Sequence, residues 1–143
     1  MALNAARVQE TLFQVVLGAG AEAVERAVID RQTTGEKDIG KVASNMALLF
    51  KSTKGDVYWV LGITSSRVSR RSEMDVEVLD RAGAALKLYA RLTAMIGEEG
   101  ASRWLKQPNP NLDGKRPIEL LGSSLGRQRL ASLIAALEDG SYL

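Results

Sequence analysis

The chain has 143 residues, enough for one domain or two small ones sharing a core. Hydrophobic residues make up 45% and charged residues 25%, so an apolar core can form without disulfides or a metal; the net charge of +2 is too small to point to nucleic acid by itself. Cysteine and histidine are both absent, which removes thiolate nucleophiles, Cys/His zinc sites and the usual general base near neutral pH, and argues against an enzyme.

Helical spacing recurs from the start. Val8, Leu12, Val15 and Val16 fall on one helical face, and Gly18 and Gly20 interrupt the pattern before a short helix over residues 21–29. The fairly apolar stretch 12–24 is broken by Gln14 and Glu22 and does not read as a signal peptide, and no run approaches the roughly 18 apolar residues of a membrane span. The expectation is a cytoplasmic protein without a membrane partner, cofactor or metal. Residues 32–37 are polar and contain Gly35, which suits a loop. Asp38 is placed to cap a helix whose buried stripe is Ile39, Val42, Ala43, Met46, Leu49 and Phe50.

Two short helices, 54–61 and 65–71, follow, joined at Gly62, Ile63 and Thr64. Tyr58–Ile63 has strand-like composition, but helical patterns flank it. Asp75 then caps a long helix with Leu79, Ala82, Leu86, Tyr89, Thr93 and Ile96 on its buried side, ended by Gly97. A short helix over 98–106 carries Trp104 and Leu105, with Trp104 read as core. The segment 107–114 (QPNPNLDG) is loop-forming, Pro117 opens a short helix, and a last helix carries Leu130, Leu133, Ile134 and Leu137 before Gly140.

The stretch 55–71 (GDVYWVLGITSSRVSRR) has the layout of a helix-turn-helix. Val57 and Leu61 pack the first helix, Gly62 makes the turn, Ile63 and Val68 pack the second, and Thr64 caps it. Tyr58 stands where a small residue usually lets the helices cross closely, so either they cross more openly or the tyrosine points partly away. The second helix exposes Ser65, Ser66, Arg67, Ser69, Arg70 and Arg71, which are types that contact bases and phosphates. Residues 51–71 hold five bases against one acid, whereas 72–100 hold six acids and three bases. DNA contact and a solvated basic face are both open readings of this pattern.

Residues Trp104, Leu105, Pro108, Asn109, Leu112, Gly114, Pro117, Leu120, Leu121, Gly126 and Gly140 occur in the order WLKQPNPNLDGKRPIELLGSSLGRQRL…EDG. This pattern resembles the toxin-binding domain of the Xre/MbcA/ParS antitoxins, and the resemblance runs over about residues 38–143. It implies an all-α fold in which a helix-turn-helix domain precedes a small helical toxin-binding domain. The division expected is an N-terminal helical segment (1–37), a helix-turn-helix domain with its long connecting helix (38–96) and a toxin-binding domain (97–143). It also implies a RES-domain toxin that consumes NAD as partner, neutralised by direct binding, and a homodimer that represses its own operon at operator DNA. In the family the antitoxin's C-terminal end reaches the toxin's cleft, which corresponds here to Ser141, Tyr142 and Leu143. Arg127 and Arg129, on the exposed side of the last helix, are further candidate toxin contacts, with Lys115 and Arg116 as alternatives. The competing reading is a stand-alone transcriptional regulator whose C-terminal domain dimerises.

Overall fold

The computed structural model describes residues 4–140, and all regular structure among them is helical. Asn4 opens α1 (Ala5–Leu17) by accepting from the backbone N–H groups of Ala6 and Arg7, and Gly18 closes it. α2 (Ala21–Ile29) lies across a short turn. Asp38 caps α3 (Ile39–Phe50), Thr53 caps α4 (Lys54–Leu61) and Thr64 caps α5 (Ser65–Ser69), each through a side-chain oxygen. Asp75 caps α6 (Val76–Lys106), which breaks at Gly97, where φ is 81°, and resumes at once. A 3₁₀ turn at Pro110–Leu112 lies inside the Pro/Asn-rich loop and leads to α7 (Pro117–Leu120) and α8 (Ser124–Glu138). The strand-like composition of Tyr58–Ile63 is overridden, because the segment completes α4 and its turn.

α6 is the spine. α1 and α2 lie along one flank, where Phe13 and Val24 close on Gly83, and α3 and α4 pack beside them. At its far end Leu88, Leu92 and Leu105 meet Leu121, Leu130 and Ile134 of α7 and α8. Buried apolar side chains from Leu12 to Ile134 form one cluster, so residues 5–29 share the core of the rest. Trp104 packs against this cluster, as expected.

Three local expectations need correction. Val15 is 59% exposed, because α1 buries Leu12, Phe13, Val16 and Leu17, a stripe rotated from the one its spacing suggests. Ile96 is 43% exposed at the break beside Gly97. The second helix of the helix-turn-helix stops at Ser69, with Arg71 in the left-handed region at φ 55°, so Arg70 and Arg71 lie in the turn beyond it.

Tyr89 stands at the meeting of α3 and α6, its ring 4.7 Å from Phe50 in an edge-on arrangement. Burial, reinforced by the charge of Glu98 and opposed by a hydrogen bond with Ser102, raises its phenol to about 12. The folded state thus keeps its proton to about pH 12, whereas an unfolded chain releases it near 10. Stability is therefore whole below about pH 10 and falls as pH climbs towards 12. Denaturant titrations across this window should show a steeper decline for the native sequence than for Tyr89→Phe.

Candidate functional site

Two surfaces emerge, one around α4–α5 and one around α7–α8. At the first, Gly62 ends α4 in the left-handed conformation (φ 67°, ψ 34°), which lets its N–H and that of Ile63 turn back to the last carbonyls of the helix. The guanidinium of Arg81, the far end of a flexible side chain, lies directly over Gly62 and would have to swing aside for a β-carbon there. Ile63 is buried, Thr64 Oγ1 accepts from the Arg67 N–H at 3.2 Å, and Val68 packs beside Gly40 of α3. Tyr58 is half-buried at the edge of the core, which corresponds to a side chain pointing partly away.

The six residues expected to read DNA divide into two groups. Ser65, Ser66, Ser69, Arg70 and Arg71 are exposed. Arg67 is half-buried and its Nη2 donates to Asp75 Oδ2 at 3.0 Å, while the other oxygen of Asp75 caps α6 at the Val78 N–H. The sequence treats Arg67 as free; the fold gives it a carboxylate partner eight residues on. An isolated pair of this exposure contributes at most about 1 kcal/mol, so the contact orients the guanidinium more than it stabilises the fold. The sequence tally of bases also omits what the fold brings near: Asp38 and Glu73 are bridged through their backbones beside α5.

At the second surface, Arg116 forms a two-bond contact with Asp56 of α4 at 3.0 and 3.1 Å, and its N–H donates to Glu119 Oε2 at 2.8 Å. The paired carboxylate raises the Arg116 guanidinium further above its usual range. Trp59 of α4 donates its indole N–H to the Glu119 carbonyl at 2.8 Å and lies over Gly122, yet stays 56% exposed. Ser102 Oγ donates to the Phe50 carbonyl at 2.9 Å, and Lys106 Nζ donates to the Lys51 carbonyl at 2.6 Å. The two surfaces are therefore joined by side chains that the sequence does not pair.

The expected toxin contacts also divide. Arg129 is exposed, with Nη2 3.3 Å from both the Asn111 carbonyl and Asp113. Arg127 is not on an exposed face: it is half-buried and donates to the Leu121 carbonyl at 2.9 Å. Desolvation and the nearby Arg81 lower its pKa, with Asp80 opposing. Lys115 is exposed. Glu138 is gripped by Arg91 at 2.7 and 3.4 Å, which fixes the last turn of α8 against α6. Ser141, Tyr142 and Leu143 lie outside the described residues. Trp59 and the exposed Leu125 carry no signal in the sequence motifs, although Trp59 sits on the side of α4 opposite Val57, Val60 and Leu61.

Residues 91–140 match the family described as the antitoxin Xre/MbcA/ParS C-terminal toxin-binding domain. This segment is similar to an Xre/MbcA/ParS-type toxin-binding domain. A relative from Sphingobium sp. (strain YBL2), named Prs ADP-ribosylating antitoxin, is 26% identical over 54% of this chain and 55% of its own length. The chain thus spans about half the length of that curated relative. The family match begins at Arg91, so α3, α4, α5 and the first part of α6 lie outside it, a narrower reach than the sequence pattern suggests.

Within the matching segment the motif residues serve the architecture. Leu105, Leu112, Pro117, Leu120 and Leu121 are buried, and Gly126 lets α8 approach the carbonyl of Leu120. No helix among the described residues is long and apolar enough to cross a membrane, and no cluster of potential metal ligands occurs among them.

Proposed function

We propose that the chain is the antitoxin of a type II toxin–antitoxin pair, acting in the cytoplasm, whose partner is a RES-domain toxin that consumes NAD. The observation that carries this reading is the match of residues 91–140 to a toxin-binding domain. The relative's name joins an antitoxin to ADP-ribosylation of Prs, and ADP-ribosyl transfer draws on NAD, which suits a toxin of this class. Neutralisation is by occlusion: α7 and α8 form a platform, and residues 141–143 enter the toxin's cleft. The Arg91–Glu138 contact supports this geometry, because it gives the segment after α8 a fixed base. A buried aromatic or aliphatic anchor ringed by arginine is the usual make-up of a tight contact, and Tyr142, Leu143 and Arg129 supply those types.

Co-expression with the toxin encoded beside it tests this. The full chain should restore growth and co-purify with the toxin. A chain lacking residues 141–143 should still co-purify and leave toxin activity largely uninhibited. Full neutralisation by the shortened chain would remove the tail from the mechanism, and failure of the full chain to bind would remove the antitoxin reading itself.

The second activity proposed is autorepression through α4 and α5. Arg70 and Arg71 are exposed and carry no ion pair within 4 Å among the described residues, which supports phosphate contact. Arg70→Ala with Arg71→Ala should weaken operator binding and lower the salt slope by about 2, roughly 1 for each phosphate no longer neutralised. The engagement of Arg67 by Asp75 favours a different reading, in which the helix-turn-helix is only a scaffold. An unchanged slope in the double variant would select that one.

A further inference from the structure

An exposed tryptophan is held in place where α4 meets α7. Trp59 is 56% exposed, yet its indole N–H is committed to the Glu119 carbonyl at 2.8 Å and its five-membered ring lies over Gly122, where a β-carbon would strike it. The ring is thus ordered before any partner arrives, so covering it costs little side-chain entropy. Two guanidinium groups flank it. Arg81, half-buried, lies over Gly62, whose N–H donates to the Trp59 carbonyl at 3.2 Å. Arg127, also half-buried, donates to the carbonyl of Leu121, the chain neighbour of Gly122. Burial and the charge of Arg81 both depress the Arg127 guanidinium, with Asp80 opposing them. Neither arginine has an ion pair within 4 Å among the described residues, whereas Arg116 of the same surface has Asp56 and Glu119. Two partly desolvated like charges beside an apolar ring form an arrangement that a partner's carboxylate would relieve.

We propose that Trp59 anchors the toxin from outside the segment that matches the toxin-binding family, with a carboxylate of the toxin received between Arg81 and Arg127. This rests on the antitoxin reading and adds to it a specificity contact carried by α4 and the first part of α6. Continuity chooses the occupant. Glu119, Leu121, Gly122 and Arg127, which hold the ring and one of the cations, all belong to residues 91–140. A protein that covers that segment therefore comes down against Trp59 as well. Leu125, three residues past Gly122 and 78% exposed, widens the apolar area. A tryptophan ringed by arginine is the composition of a binding hot spot. A nucleic-acid backbone is disfavoured, because Asp56, Asp80 and Glu119 share this surface and would oppose a run of phosphates.

The full chain labelled with fluorotryptophan and titrated with the unlabelled toxin encoded beside it tests this. The chain has two tryptophans, and Trp59→Phe identifies the fluorine resonance of each. In the free chain the Trp59 resonance should respond to a change from light to heavy water, and saturating toxin should abolish that response. Trp59→Ala should weaken toxin capture about 30-fold or more, chiefly through faster dissociation. Arg81→Glu sets a like charge against the toxin's carboxylate and should weaken capture about tenfold or more. Its melting temperature should not fall, since the substitution removes the repulsion felt by Arg127. If Trp59→Ala does not fold, the solvent response of the native chain and the Arg81→Glu affinity decide. A native chain that captures toxin while Trp59 still responds to solvent would overturn the contact and leave the antitoxin reading standing, as would an affinity unchanged by Arg81→Glu. A native chain that captures no toxin would overturn both. Loss of operator binding in Arg81→Glu with undiminished toxin capture would overturn the contact in favour of a phosphate site.

Discussion

Alanine in place of Gly126 should disable the proposed toxin-binding platform while leaving most of the helix content intact. Gly126 sits in the first turn of α8, where its N–H donates to the capping Ser123 Oγ at 3.0 Å. A β-carbon there would collide with the Leu120 carbonyl oxygen and press on the carbonyl carbon at 3.0 Å. Both are backbone atoms, so no side-chain rotation relieves the clash. α8 must move away from α7 or give up its cap. Overpacking of this kind costs about 1–3 kcal/mol and removal of the cap adds about 1 kcal/mol. In a chain of this size the melting temperature should fall by roughly 5–10 °C. Toxin capture should fall more steeply than the melting temperature, since the displaced elements form the proposed contact surface. A variant with native melting and native capture would mean that α7 and α8 do not meet as closely as described.

The second large effect is expected at Phe50. The side chain is fully buried, its ring meets Tyr89, and its carbonyl accepts from Ser102 across the break in α6. Phe50→Ala removes the ring from a site enclosed by α3 and α6 and should cost about 3–5 kcal/mol, read as a lower denaturation midpoint with little change in slope. Phe50→Leu keeps most of the volume and should cost only about 1–1.5 kcal/mol. If the two variants are equally damaging, the edge-on arrangement with Tyr89 matters more than the volume filled. The proposed DNA and toxin contacts should be lost together in Phe50→Ala, because residue 50 ends the helix on which α4 packs and is hydrogen-bonded to the part of α6 that leads to α7 and α8.

What could be read from sequence was local chemistry. Asp38, Thr64 and Asp75 act as helix caps because a short side-chain oxygen satisfies orphan N–H groups wherever the chain goes next. Gly62 makes its turn for similarly local reasons, and the prolines at 108, 110 and 117 delimit the loop and the start of α7. The motif of residues 104–126 is legible because it records packing and turns, which spacing reports well. The long-range partners were not legible. Arg67 finds Asp75, Arg127 finds a carbonyl, and Arg116 finds Asp56 across sixty residues. Periodicity also misplaced Val15: helical spacing fits more than one stripe, and the position of α6 and α3 decides which is buried. The role of residues 5–29 had no signal in any motif, since packing against a distant helix leaves only an apolar stripe.

The break in α6 bears on how small a fragment of this protein could stand alone. The segment that matches the toxin-binding family starts at Arg91, inside an unbroken helical stretch and two residues after Tyr89. A peptide of residues 91–140 would begin without the Asp75 cap and would lack Leu88 and Tyr89, which close the core beneath Leu121, Leu130 and Ile134. It would also lack Phe50 and Lys51, whose carbonyls anchor the helix after Gly97, and Asp56, which anchors Arg116. Excision for a therapeutic or a biosensor would therefore leave a scaffold with its foundation removed. A workable miniature would have to begin at Asp75 and bring replacements for the α3 and α4 surfaces on which the platform rests.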